Sequence, residues 1–143
     1  MVFEGEPMTV LTVDQIVSYH AHIYFKDAAQ RDTAALLRDQ IAARFRVQLG
    51  RWREETVGPH ERPMYQVAFA TDLFAEFVPW LMLNRDNLAV LVHPNTGAPR
   101  RDHLVHALWL GEMLPIVRPE QLPDTADTAG DAVIPNTNPT LQP

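Results

Sequence analysis

Hydrophobic and polar positions alternate along Val17–Phe25 (VSYHAHIYF), with Val17, Tyr19, Ala21, Ile23 and Phe25 on one side and Ser18, His20, His22 and Tyr24 on the other. A period of two predicts a strand with one apolar face and one face that carries chemistry. The period then changes. Between Ala28 and Phe45, Ala34, Leu37, Ile41 and Phe45 recur at three- and four-residue intervals, and Asp27 followed by Gln30 supplies a capping signal, which together predict an amphipathic helix. Gln48–Thr56 (QLGRWREET) is weakly patterned and charged, as an edge strand is, and Gly58-Pro59-His60 ends it. Met64–Ala70 (MYQVAFA) alternates again, with Tyr65, Val67 and Phe69 on its apolar side. Leu73–Leu83 follows a helical stripe through Phe74, Phe77, Val78 and Leu81 after a cap at Asp72, and Pro79 predicts a kink or a split within it. Leu88–His93 (LAVLVH) is a dense apolar strand that runs into a turn at Pro94–Gly97.

The order β-α-β-β-α-β predicts the α+β class and a ferredoxin-like antiparallel sheet with two helices on one face. In the strand order four-one-three-two, the first and third strands are expected as parallel neighbours, with the fourth antiparallel beside the first. A C-terminal helix is expected from a cap at Asp102 through Leu104, Ala107 and Leu108 to Gly111. Residues 1–15 show no strong period and read as a leader packed against the domain edge. Residues 1–118 thus form one domain, and residues 119–143 form a tail rich in Pro, Thr and Asp. That composition is extended or disordered on its own, so a neighbouring subunit is expected to order it.

Composition narrows the chemistry. A chain of 143 residues suits one domain with a proper core, and with no cysteine any metal must be held by nitrogen and oxygen. Attention therefore moves to the six histidines. No apolar run approaches a membrane span and the N-terminus lacks signal-peptide features, so a cytoplasmic protein is expected. The net charge is −6, of which Glu120, Asp124, Asp127 and Asp131 in the tail contribute −4, and no basic footprint for nucleic acid is present. Arg38, Arg44, Arg46, Arg51, Arg53 and Arg62 lie close in sequence; they suit a small acidic substrate, or else a solvated helix face and an edge strand.

His20 and His22 project from the same side of a strand about 6.5–7 Å apart at Cα, close enough for two imidazoles to converge on one metal ion or ligand. A third group must come from elsewhere. In the expected topology His20 at the start of the first strand, His60 before the third and His93 at the end of the fourth gather at one end of the sheet, and His103 follows nearby. One strand histidine alone is commonly a polar surface residue. Four converging from distant segments point instead to a site. His106, three residues beyond His103, reads as structural. Of the carboxylates, Asp102 and Glu61 come nearest without being clearly placed, so an all-histidine set is preferred. The helices leave the face with His20, His22, Gln66 and His93 open, so a second subunit, the C-terminal helix or the Pro-rich tail is expected to close over it, and a twofold homodimer is the commonest solution.

The strings YHAHIYF, VGPHERPMYQVAF, VPWLMLNR, VLVHPNTG and DHLVHALWLG resemble, in order and spacing, the DOPA 4,5-dioxygenase family over residues 17–115. The resemblance implies a ferredoxin-like, usually dimeric protein. It also implies extradiol cleavage of DOPA or a related catechol by dioxygen at a non-haem ferrous ion. The family's histidines correspond here to His20, His22, His60, His93 and His103. The chain departs from the family pattern at Arg53, where a histidine often stands, and at Glu61, where proline is common.

The resulting expectation is an extradiol dioxygenase whose partners are a small catechol and dioxygen, with Fe(II) held by His20, His22 and His93 and zinc as a possible substitute. His60 and His103 are then the acid/base or substrate-orienting groups, because an imidazole can exchange protons near neutral pH. Two other classes remain open: a non-catalytic dimer that binds an acidic aromatic ligand, and a zinc hydrolase, since three histidines also hold a water-activating zinc.

Overall fold

Ser18–Tyr24 form β1, the middle strand of the sheet, and the rest of the fold is added to its two edges. The computed structural model describes Gly5 and residues 7–143. Around β1 stand α1 (Ala28–Arg44), β2 (Gln48–Leu49), β3 (Met64–Phe69), α2 (Phe74–Asn84), β4 (Val90–Asn95), α3 (Pro99–Leu104) and β5 (Leu108–Leu110). The sheet runs β2-β3-β1-β4-β5, which is the ferredoxin-like order with one strand added beyond β4.

Each element has a local cause. Asp27 Oδ1 accepts the Gln30 N–H at 2.8 Å and Gln30 Oε1 accepts the Lys26 N–H at 3.1 Å, a reciprocal cap that starts α1. Gln30, Ala34, Leu37 and Ile41 are the buried stripe of that helix. Phe77, Val78 and Leu81 do the same for α2. Both stripes pack on Ala21, Ile23, Tyr65, Val67, Phe69, Val90 and Val92, so the helices share one face of the sheet. Phe77 closes this core edge-on against Phe45 and Phe69, at centroid distances of 4.9 and 4.8 Å.

Several expectations need correction. β1 pairs antiparallel with β3 as well as with β4, because each βαβ connection returns its strand in the starting direction and the β2–β3 connection reverses it once. The second strand shrinks to Gln48–Leu49, with a single further bridge between Arg53 and Met64; between them the Gly50 N–H still reaches Gln66 O at 2.7 Å and Trp52 packs on the core between Phe25 and Tyr65. Pro79 does not split α2: it sits on the exposed side, where water can satisfy the carbonyl left without a donor. β4 begins two residues later than expected and includes Pro94, which lies past the stretch that β5 covers. The expected long C-terminal helix is a short α3 followed by β5. Asp102 is not its cap but lies inside it, accepting from the N–H of Thr96 at 2.9 Å and from its hydroxyl at 2.7 Å. Of the expected leader, residues 1–4 and 6 lie outside the described residues, and residues 7–15 are exposed.

The second face of the sheet is not open. Tyr24, Met64, Ala89, Leu91 and Leu114 form a small core there, packed against Val57, Ala107, Trp109 and Ile116. Of the expected covers, it is the chain's own C-terminal segment, through Ala107, Trp109, Leu114 and Ile116, that lies on this face. The tail is also bound to its own domain. Asn136 donates from its main chain to Val47 O at 3.0 Å, and its side-chain amide pairs with both the N–H and the C=O of Leu49, at 2.8 and 2.9 Å. The Thr137 hydroxyl accepts from Val47 N at 3.0 Å and donates to Phe45 O at 2.6 Å. An edge that would otherwise present free backbone groups is thereby occupied. Replacing Thr137 by Ala removes that buried link, and a loss of about 1–2 kcal/mol in unfolding free energy is expected from urea titration. An unchanged midpoint would show that the tail does not hold this edge in solution.

Candidate active site

Five imidazoles meet on the second face of the sheet. His20 and His22 stand two residues apart on β1, and register sets His20 directly opposite His93 on β4. His103 comes from α3, and His60 from the segment that follows the turn at Gly58, whose φ of 56° favours glycine. The Arg118 side chain pins this segment by donating to the carbonyls of Gly58 and His60. With β1 and β3 antiparallel, His60 enters beside the end of β1, not beside its start as expected. It still converges because the segment before β3 folds back over the sheet.

The distances are short. Ring centroids are separated by 5.1 Å for His20–His93, 5.2 Å for His22–His93, 4.4 Å for His22–His60 and 3.9 Å for His93–His103. His22, His60 and His93 are buried, whereas His20 is partly exposed and marks the open side of the cluster. Two trios bring donor atoms within 4.8 Å of one another: His20, His22 and His93, and His22, His60 and His103. All five residues singled out in the sequence are therefore brought together. Among the described residues no carboxylate joins either trio. The Asp102 carboxylate is engaged by Thr96, and Glu61 is exposed. His106 stays out, lining a separate groove of about 250 Å³ with Pro94, Thr96 and residues 11–13, 15 and 16. The arginine group disperses too: Arg38 donates to Gly50 O and lies over the Tyr65 ring, while Arg62 pairs with Glu112.

Hydrogen bonding assigns protons to two of the rings. His93 Nδ1 lies 2.9 Å from Pro94 O and His103 Nδ1 lies 2.7 Å from Pro99 O. A carbonyl can only accept, so both Nδ1 atoms carry hydrogen and both Nε2 atoms present lone pairs. This is the arrangement that orients a metal-binding histidine. His22 Nε2 approaches His93 Nε2 at 3.2 Å. Two nitrogens bound at about 2.0–2.1 Å to one tetrahedral ion lie roughly 3.4 Å apart, so the spacing fits a shared cation. His22 Nδ1 is buried with no protein partner, which leaves this ring less committed to the chain than its neighbours.

Electrostatics keep the cluster neutral. Burial lowers His20 and His60 to about 4, with repulsion from His103 adding to each. Burial, then the surrounding imidazoles, holds His22 and His93 well below the usual histidine range. His103 is also lowered by burial, although the Pro99 carbonyl and Asp102 pull it partly back. A set of neutral nitrogen donors is what a divalent transition metal requires.

One residue of this site had no role assigned from sequence. Tyr24 was placed on the histidine face by alternation, and in the structure its hydroxyl lies 2.7 Å from His60 Nδ1. Nothing in the sequence pairs those two positions.

A family model described as the Dopa 4,5-dioxygenase family matches residues 19–118. A DOPA 4,5-dioxygenase of Amanita muscaria is 34% identical over 121 residues, covering 79% of this chain and 53% of that protein. An uncharacterized 21.2 kDa protein of Botryotinia fuckeliana is 37% identical over 110 residues, covering 69% of this chain and 60% of that one. The chain thus spans little more than half the length of these curated relatives. A crystal structure from Nostoc punctiforme, described as that of a candidate dioxygenase, shares 51% identity with a TM-score of 0.75, covering 78% of this chain and 96% of that one.

Because these histidines are neutral when folded and titrate near 6.5 when unfolded, the unfolded chain binds more protons between those values. Stability of metal-free protein is therefore complete above pH 6.5 and is lost as the pH falls toward about 4. Each such histidine contributes a slope of about 1.4 kcal/mol per pH unit. Urea midpoints measured across this window should fall together with pH, and a flat profile would mean that the cluster titrates normally.

Proposed function

The chain belongs to the Dopa 4,5-dioxygenase family, and from that premise we propose that it is an extradiol dioxygenase that opens the ring of DOPA or a related small catechol. The observation that carries this reading is the meeting of five buried or half-buried neutral imidazoles, with at least two lone pairs already directed by main-chain carbonyls. The family and the relatives' names support oxygenase chemistry, and the geometry supplies residues for its separate tasks.

His20, His22 and His93 would hold ferrous iron. They sit on paired strands, with His93 Nδ1 anchored and the His22 and His93 Nε2 atoms spaced for one ion. When bound there, such an ion would supply the Lewis-acid and redox chemistry by which a catechol and dioxygen are activated. The remaining work falls to the chain. His103 presents its Nε2 lone pair from α3, close against His93, so it can take a proton from an entering catechol hydroxyl. The same imidazolium can return that proton after ring opening. His60, across the cluster, orients the substrate oxygens. Burial of His22, His60, His93 and His103 keeps water from these rings, which strengthens each of these contacts.

The test has two parts. Protein purified without chelator should contain iron, and under air a catechol screen should give a yellow ring-opened product; zinc with hydrolytic activity would favour the hydrolase reading instead. Replacing His20, His22 or His93 by Ala should abolish metal uptake without unfolding the chain. His103→Gln should keep the metal and lower turnover about 10²–10⁴-fold. Stoichiometric iron in the His20 and His93 variants, or loss of iron in the His103 variant, would overturn the division of roles.

A further inference from the structure

We infer that Tyr24 fixes the tautomer of His60, making that ring a hydrogen-bond donor into the pocket and keeping it out of the metal ligand set. The two overlapping histidine trios share His22, so geometry alone permits His60 to act as a ligand with His22 and His103. What separates the two trios is where the protons lie.

His93 and His103 each meet a carbonyl at Nδ1, which forces a proton onto that atom. His60 meets a phenol hydroxyl instead, at 2.7 Å. A hydroxyl can donate or accept, so the choice depends on what else surrounds it. Tyr24 is 1% exposed, packed with Met64, Ala89, Leu91 and Leu114 and stacked on Trp109 at 5.9 Å. Among the described residues its hydroxyl has no partner other than His60. If His60 Nδ1 carried hydrogen, the phenol would accept it and its own proton would be buried without an acceptor. If the phenol donates, both groups are satisfied. His60 Nδ1 is then the acceptor, and the ring's hydrogen sits on Nε2.

An Nε2–H cannot ligate a metal, but it can donate to an anionic oxygen. The chain therefore presents two kinds of imidazole to the same space: lone pairs from His93 and His103, and an N–H from His60. A catecholate entering beside His20, His22 and His93 would carry the negative oxygens that such a donor recognises. Tyr24 reaches the substrate only through His60, so it is a positioning residue.

The consequence for turnover rests on the proposed function, whereas the tautomer does not, and it can be read without metal or substrate. In metal-free full-length protein with ¹⁵N-labelled histidine, near neutral pH, proton–nitrogen correlations through the ring report which nitrogen carries hydrogen. The His60 signals are identified by their absence in His60→Gln. The expected result is hydrogen on Nε2 in the wild type, moving wholly or partly to Nδ1 in Tyr24→Phe, where no donor remains. Wild-type hydrogen on Nδ1 would overturn the inference and move His60 into the ligand set with His22 and His103. An unchanged Nε2–H in Tyr24→Phe would overturn the role of Tyr24. Should that variant fail to fold, the wild-type spectrum still decides the assignment of His60. Failure to find iron or ring cleavage would count against the proposed function while leaving both spectral results in force.

Discussion

The antiparallel register of β1 against β4 is the constraint on which the site depends. It sets His20 opposite His93 and His22 opposite Leu91, so one inter-strand spacing and one two-residue step along β1 define three of the five ring positions. A slip of one residue in either strand would turn its histidines into the helix-packed core and its valines or isoleucine toward the cluster. The register is held from the opposite face, where Ala21, Ile23, Val90 and Val92 are buried under α1 and α2. The apolar side of the sheet thus specifies the geometry of the chemical side. The chemistry in turn exacts little from folding, because the rings are neutral and need no buried counter-charge.

Neutrality follows from crowding. Several imidazoles this close cannot all be protonated in a desolvated space, and burial is the leading cause that pushes each of the five down. The usual buried metal site of mixed sign would need a carboxylate and hydrogen bonds to hold it. Among the described residues the buried carboxylate near His103 is Asp102, and it is engaged instead by the Thr96 turn that leads into α3. Asp102 therefore bears on the site by fixing the turn before α3 and by pulling His103 partly back toward its ordinary range.

Much of this was legible in the chain. Alternation along Val17–Phe25 put His20, His22 and Tyr24 on one face, and the Leu37–Ile41 stripe with the Asp27 cap gave α1 nearly to the residue. The antiparallel β1–β3 pairing is already implied by the β-α-β-β-α-β order, since the crossover to β2 keeps the strand direction and the β2–β3 connection reverses it, so the expected parallel pairing does not follow from that order. β5 was read as helix because Leu104, Ala107 and Leu108 fit a helical spacing over a stretch too short to distinguish the two periods; pairing of Leu108–Leu110 with Val90–Val92 settles it by tertiary contact. The tail was misjudged for a different reason. Its composition has little to bury, yet Asn136 and Thr137 bind a strand edge by specific hydrogen bonds, and composition carries no record of such matches.

The supports beneath the histidines differ in kind, and that difference bears on their roles. His20, His22 and His93 rise from the two most extensively paired strands, where the backbone cannot shift without breaking ladder bonds on both sides of β1. Ligands to one ion need such fixity, since small displacements weaken coordination. His103 stands on a six-residue helix, and His60 on an irregular segment secured by Arg118 and by the Tyr24 hydroxyl. Groups that meet a substrate must adjust as it enters and as its charge changes, so segments held by a few named contacts suit them better than a ladder does. The same division explains why the ligand candidates could be read from strand alternation, while the partners that set the other two rings became visible only in the folded chain.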